Sequence, residues 1–328
     1  MTSDRNRGKS RENKNQSLEA RSKRLDKSIK RILASSIWLL SFLICSLTAG
    51  AQDYGSQQFQ QSFSIRGRIN GAIIILGMSS DTANLQKLAD MVIAEAERTY
   101  DLLDASNPSS EVAKLNASGG NGKMKVSWQV ADAFKAAKKV GQWSKGAFDV
   151  ISVGGDYNQI NVDDKEDTVE FKKAGMEARL DPIIEGFLAD YMIGLINQAN
   201  MQNAMVRVGN VFRGSGQSAH GPWSIQVQED SSAYARHALN LTVSNTGIAT
   251  ISATDFRSKP LIDYRSKNSI TPQGKGATII MNEAALAQGL AYAVFVLGPS
   301  EGMNLLTKTG GRGLIVDAQG KFLRTPGL

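Results

Sequence analysis

Cysteine occurs once and histidine twice in the 328 residues. A single cysteine excludes a disulfide framework and any Cys-rich zinc or iron–sulfur site. Two histidines, His220 and His237, exclude a His-cluster metal centre, and their neighbours place both in ordinary structural roles. The common catalytic signatures are also missing. No G-x-G-x-x-G follows a strand, and there is no Walker loop, no G-x-S-x-G and no H-E-x-x-H. Gly214-Ser215-Gly216 is long enough only for a turn. The acidic run Asp163, Asp164, Glu166, Asp167 lacks the ligand spacing and glycine of a calcium loop and reads as a solvated turn. Aromatics make up 7%, charged residues 21% and hydrophobic residues 41%, ordinary globular values that exclude collagen, coiled coil and wholesale disorder.

The net charge of +7 first suggests a nucleic-acid partner. Position removes that reading. Of the 38 basic and 31 acidic residues, eleven and four lie in 1–31, leaving 27 of each sign in the rest. The body has no excess charge with which to displace counterions from phosphate, so no nucleic acid is expected.

Residues 1–31 are too polar to bury a core and read as a disordered basic region. An apolar run follows, Ile32 to Ala49, and then Ala49-Gly50-Ala51. Basic region, apolar stretch and small-x-small site describe a secretory signal peptide over 32–51, cleaved after Ala51. The rival reading keeps 32–49 as a single membrane anchor. Lipidation at Cys45 is disfavoured by the bulky Phe42-Leu43-Ile44 before it. Each reading puts the body outside the cytoplasm, periplasmic or otherwise extracytoplasmic. Residues 52–62 read as a polar linker and 63–328 as one domain.

Within the body, Ile69 to Gly77 reads as one buried strand. Periodicity predicts helices over 82–103, capped by Asp81, and over 128–143, capped by Ser127. A third is predicted over 182–198, with Asp181 as cap and Pro182 as first helical residue. Strands are predicted at Ala204–Val208, Trp223–Val227, Leu239–Ser244 and Ala277–Met281. An apolar helix starts at Asn282 and ends at Gly298, a short one follows from Ser300, and a last hairpin turns at Gln319-Gly320. Strands and helices mix without a βαβ repeat, which argues an α+β fold with a largely antiparallel sheet.

Seven stretches, in order, carry a resemblance. They are Leu103–Asn116, Gly146-Ala147-Phe148-Asp149, Asp181–Asp190 (DPIIEGFLAD), Val208–Gly216 (VGNVFRGSG), Pro222-Trp223, Gly247–Thr250 (GIAT) and Leu286–Gly298 (LAQGLAYAVFVLG). Together they resemble the ApbE family of magnesium-dependent FAD:protein FMN transferases, over residues 63 to 317. The resemblance implies a T-fold-related α+β domain with helices packed on its sheet. It implies FAD and Mg2+ as cofactors, transfer of FMN to a threonine of a partner, and an exported flavinylated or flavin-handling protein as that partner. By position it implies flavin or phosphate contacts at Ser110, Glu111, Asp181, Glu185, Gly209, Asn210, Asp263 and Arg265, and metal ligands at Gln288 and Tyr292.

The sequence departs from the family pattern at those chemical positions. The Asp and Thr expected four residues apart on one helix face are Gln288 and Tyr292. The lysine of A-K-G is Glu185, which reverses charge where phosphate is expected. The pattern's paired glycines are Asp181 and Pro182, and proline has no N–H to offer. The aspartate of G-G-D is Val211, its second glycine is Asn210, and a family histidine aligns with Pro260. What is kept is apolar packing, turn glycines and helix boundaries. The expectation is a non-catalytic or altered flavin- or partner-binding relative. An active transferase with a rearranged metal site and a membrane-tethered interaction protein without ligand are the alternatives. A displaced carboxylate pair at Asp181 and Glu185, and Tyr292 plugging the old phosphate cavity, are the two local expectations.

Overall fold

The computed structural model describes residues 61–328, apart from 70–71, 81–83, 121, 219–220, 228–238 and 258–259. The expected leader and cleavage site, the expected linker up to residue 60, Asp81 and both histidines lie outside the described residues. No helix among the described residues is long and apolar enough to cross a membrane. The architecture is α+β.

An eight-stranded antiparallel sheet forms the frame, and its spatial order follows the chain. The strands are β1 (Gln61–Ile69), β2 (Ala72–Ser80), β3 (Ala204–Val208), β4 (Val211–Ser215), β5 (Gly247–Ser252), β6 (Gly274–Met281), β7 (Arg312–Asp317) and β8 (Phe322–Arg324). Between β2 and β3 come helices α1 (Leu85–Leu103), α2 (Glu111–Ala117), α3 (Trp128–Ser144) and α4 (Asp181–Gln198). Between β6 and β7 comes α5 (Ala284–Thr309), which Gly298, at φ 78°, interrupts just before Pro299.

α4 and α5 are the central helices. α4 buries residues on every side, from Ile183 and Phe187 to Leu188 and Tyr191, as a helix apolar all round must. Alternation along β5 serves two cores: Ala249 faces the helices, while Ile248 joins Ile225, Leu241 and Ile280. A ribbon of Trp223–Val227 and Leu239–Val243 contributes to that second core. The acidic run turns between paired strands Ile160–Asp163 and Thr168–Phe171, as expected.

Four expectations are corrected. The run Ile69 to Gly77 is a hairpin, because β1 and β2 pair until Ile69 meets Ala72. β1 also takes in Gln61 and Ser62, the end of the expected linker. The first helix begins at Leu85 after Asn84, later than expected. Asp181 does not cap α4: Leu180 holds that position, and Arg179 Nε donates to the Asp181 carboxylate at 3.2 Å. Ser127 does cap α3, accepting from Val130 N.

Candidate site at the starts of α4 and α5

The first turns of α4 and α5, the start of β5 and the β3–β4 turn meet closely. Small residues make this possible. A Cβ on Gly186 would fall on the Ala284 carbonyl, and one on Gly247 would fall on the Ala284 backbone. Across this contact the Gln288 side-chain oxygen accepts from Gly186 N at 2.8 Å. Asp190 works beside it. Its carboxylate accepts from Ala284 N at 3.0 Å and Ala285 N at 2.9 Å, satisfying two N–H groups at the α5 N-terminus. The same carboxylate takes Arg213 Nε at 2.8 Å, with side-chain exposures of only 6% for Asp190 and 18% for Arg213.

Glu185 reaches the β3–β4 turn. Gly209 has φ +56°, and a Cβ there would overlap the Glu185 carboxylate. The carboxylate therefore lies flush on the glycine. Arg207 Nε donates to the carbonyl of the same Gly209 at 2.7 Å. Asn210 is exposed, and Val211 is buried in the sheet.

Tyr292 lies one helical turn beyond Gln288 among aromatic rings. Its ring meets Phe256 edge-on at 5.4 Å and Phe148 at 6.4 Å, and Phe256 stacks on Phe295 at 5.6 Å. Burial, with Tyr264, Asp181 and Asp255 nearby, pushes the Tyr292 phenol far above its ordinary value. It stays a neutral phenol. Burial raises the Tyr264 phenol as well.

The remaining candidate residues are held by the fold. Ser110 caps α2, accepting from Ala113 N at 2.9 Å. Glu111 accepts from Ser127 N at 2.6 Å. Asp263 and Arg265 face each other in a bidentate pair, with Nε and Nη2 at 2.9 and 2.8 Å. That contact holds the Asp263 carboxyl below its ordinary value, and Arg265 also lies 3.8 Å from Glu301. Pro260 is exposed. The structure thus gathers Glu185, Gly209 and Gln288 around Gly186, with Asp181 and Tyr292 close by. It leaves Ser110 and Glu111 at the join of α2 and α3.

These residues do not fit Mg2+ and a pyrophosphate. The Gln288 oxygen is engaged by a backbone N–H, and a neutral phenol in an aromatic cage is a poor hard-cation ligand. Among the described residues no group of three or more His, Cys, Asp or Glu could hold a metal. A carboxylate resting on Gly209 repels phosphate.

Three residues that matter here were not singled out from sequence. Asp190 and Arg213 sat inside quoted motifs, and pairing Asp190 with α5 needs a contact 94 residues distant. Asp149, the last residue of G-A-F-D, is 1% exposed and accepts from Ile151 N and Tyr157 N. Burial nevertheless raises its carboxyl above the ordinary value.

Comparison with known proteins bears on the family and the fold. The sequence pattern of the ApbE family matches residues 71–155 and 153–315. An FAD:protein FMN transferase of Haemophilus influenzae is 24% identical over 163 residues, covering 46% of this chain and 47% of that protein. One from Klebsiella pneumoniae is 23% identical over 154 residues, covering 44% of each. The aligned part therefore spans just under half the length of these relatives. Among solved structures, the flavin transferase ApbE of Vibrio cholerae superposes with a TM-score of 0.71 at 18% identity, covering 81% of this chain and 97% of that one. The apo flavinyl transferase ApbE of Pseudomonas stutzeri gives 0.71 at 19%, covering 82% and 96%. With the motif order, the sheet and this match running through both halves of the domain, the chain belongs to the ApbE family.

Proposed function

We propose that this chain is a non-catalytic ApbE-family protein that acts by binding a partner protein rather than by transferring FMN. The observation that carries this reading is the Gln288 contact. The position where the family resemblance implies a metal carboxylate holds an amide whose oxygen clamps α5 to α4 through Gly186 N. Tyr292 and Glu185 support it. One fills its space with a ring, and the other sets a negative charge against the glycine turn. Loss of the metal carboxylate alone removes several kcal/mol of charge stabilisation from phosphoryl transfer, on the order of 10²-fold or more in rate. The 32–51 leader would place the domain on the extracytoplasmic side, cleaved or anchored through 32–49.

The test is a titration of the purified chain with FAD, with and without Mg2+, followed by flavin fluorescence. The reading expects no Mg2+-dependent change. Magnesium-dependent binding in the micromolar range would overturn it and restore the active transferase. Flavin binding that ignores Mg2+ would leave catalysis absent and make flavin the ligand.

A further inference from the structure

A second surface stands apart from the α4–α5 site. On the exposed side of α3, Lys135, Lys138, Lys139, Gln142 and Trp143 fall at spacings of three and four residues. Lys135 is neutralised by Asp164. The C-terminal half of the face is not. Lys138 Nζ donates to the Ile160 carbonyl at 2.5 Å, and Lys172 N donates to the Gln159 carbonyl at 2.9 Å. The Lys138 ammonium and the Lys172 main chain therefore meet the same Gln159–Ile160 backbone, which brings the Lys172 residue beside Lys138.

Their environment is unusual. Among the described residues none of Lys138, Lys139 and Lys172 forms an ion pair. The neighbouring carboxylates are turned elsewhere: Asp156 accepts from Asn158 N and Glu170 from Asn161 Nδ2. Asp132, one turn earlier, has a partner within the chain. Burial and the Lys172 charge together lower the Lys138 ammonium below its ordinary value. Two uncompensated like charges weaken a fold. The last turn of α3 holds no basic residue, so the helix dipole does not account for Lys138 and Lys139, and Lys172 lies just past the strand Thr168–Phe171. The body is neutral overall, so this is a local concentration of charge. Trp143 adds a flat ring, with Lys139 Nζ 4.9 Å from its centroid.

We infer that the C-terminal half of α3, together with Lys172, is a docking surface for an acidic segment of a partner protein. Opposite charge removes the Lys138–Lys172 repulsion, and Trp143 offers apolar contact at the rim. A bilayer is the weaker fit. Among the described residues Val153 is the one exposed large hydrophobic side chain, so this face has little to insert beside its lysines.

The test uses the full-length chain and a polyglutamate peptide bearing a photo-crosslinker, with labelled residues mapped by mass spectrometry. Labelling is expected over 138–143 and at 172–173, falling as salt is raised. Lys172→Gln should reduce that labelling by about tenfold, while its thermal midpoint stays level or rises because a repulsion is gone. A lysine kept only for the fold would show the reverse, a lower midpoint with labelling unchanged, and would overturn the inference. Labelling confined to the basic 1–31 segment would do the same. So would Lys172-dependent binding to phosphatidylglycerol vesicles or to a single-stranded oligonucleotide that exceeds peptide binding. FAD binding at the α4–α5 site would sink the proposed function and leave this surface untouched.

Discussion

Replacing Asp190 by alanine tests whether the polar residues of the family pattern that this chain keeps serve its fold. The carboxylate receives two N–H groups from the start of α5 and the Arg213 guanidinium. Losing a helix cap alone costs about 0.5–2 kcal/mol. Removing one partner of a buried ion pair costs about 3–5 kcal/mol, because the other charge is left without compensation. Arg213 retains its Nη1 contact to the Gly214 carbonyl, which places the expected loss near the lower end, about 3 kcal/mol. In a domain of this size that lowers the melting temperature by about 6–12 °C. Thermal unfolding followed by circular dichroism measures it. The cycle with Arg213→Ala should show that the two losses overlap, with a coupling of about 1 kcal/mol or more. An Asp190→Ala chain that melts within about 2 °C of the parent would refute the reasoning. Asp190 would then be dispensable to the fold and free for another role.

Further outcomes follow from the same contacts. Gln288→Asp with Tyr292→Thr should not by itself create Mg2+-dependent FAD binding, because Glu185 still lies on Gly209; a flavin fluorescence response in that double variant would show the cradle to be open. Gly209→Ala should cost about 1–2 kcal/mol for its left-handed backbone plus the displacement of Glu185. Adding Glu185→Ala should recover the second part, and a chemical-denaturation cycle with no coupling would remove Glu185 from the turn. Asp149 and Asp263 should tilt the acid limb of stability in opposite directions. The folded Asp149 holds its proton above the ordinary 3.8, so stability falls as pH rises through that window, and Asp149→Asn should remove this slope. The folded Asp263 gives up its proton below 3.8, so its contribution is present above that value and lost on acidification, and Asp263→Asn should remove it. Urea midpoints between pH 3 and 6 decide both, since like-signed changes would contradict the assigned environments.

Local signals carried much of the fold. Ala204–Val208 and Trp223–Val227 are strands to the residue, and Gly298 with Pro299 interrupts α5 where the sequence places the break. The failures have physical causes. The isoleucine run of β2 drew attention from Asn70-Gly71, the dipeptide that favours a two-residue hairpin connection. β4 carries a glycine among five residues and showed no period long enough to read. Asp181 has the composition of a cap, but Arg179 two residues earlier competes for its carboxylate. At the site, the flanking apolar residues fixed the register of Gln288 and Tyr292. What those side chains touch was not legible. Gly186 lies 102 residues from Gln288, and the Phe256 ring comes from the loop after β5.

The changed positions and the kept ones now bear on a single question. Asp190 and Arg213 match the family pattern, yet each is explained by the N-terminus of α5 and by the other. Gln288 departs from the pattern and is explained by the same helix contact. A match to a family's polar residues therefore does not separate chemistry from architecture in this fold. The separation comes from asking which polar atoms have a partner inside the chain. Here the Gln288 oxygen, both Asp190 oxygens and the Asp263–Arg265 pair all do. Freeing the Gln288 oxygen or the Asp190 carboxylate would break contacts that join α4 to α5. On the proposed reading, Mg2+-dependent FAD binding would call for substitutions on both helices at once. Single reversions should lose stability without gaining a ligand, and that joint requirement is what distinguishes a filled site from a merely weakened one.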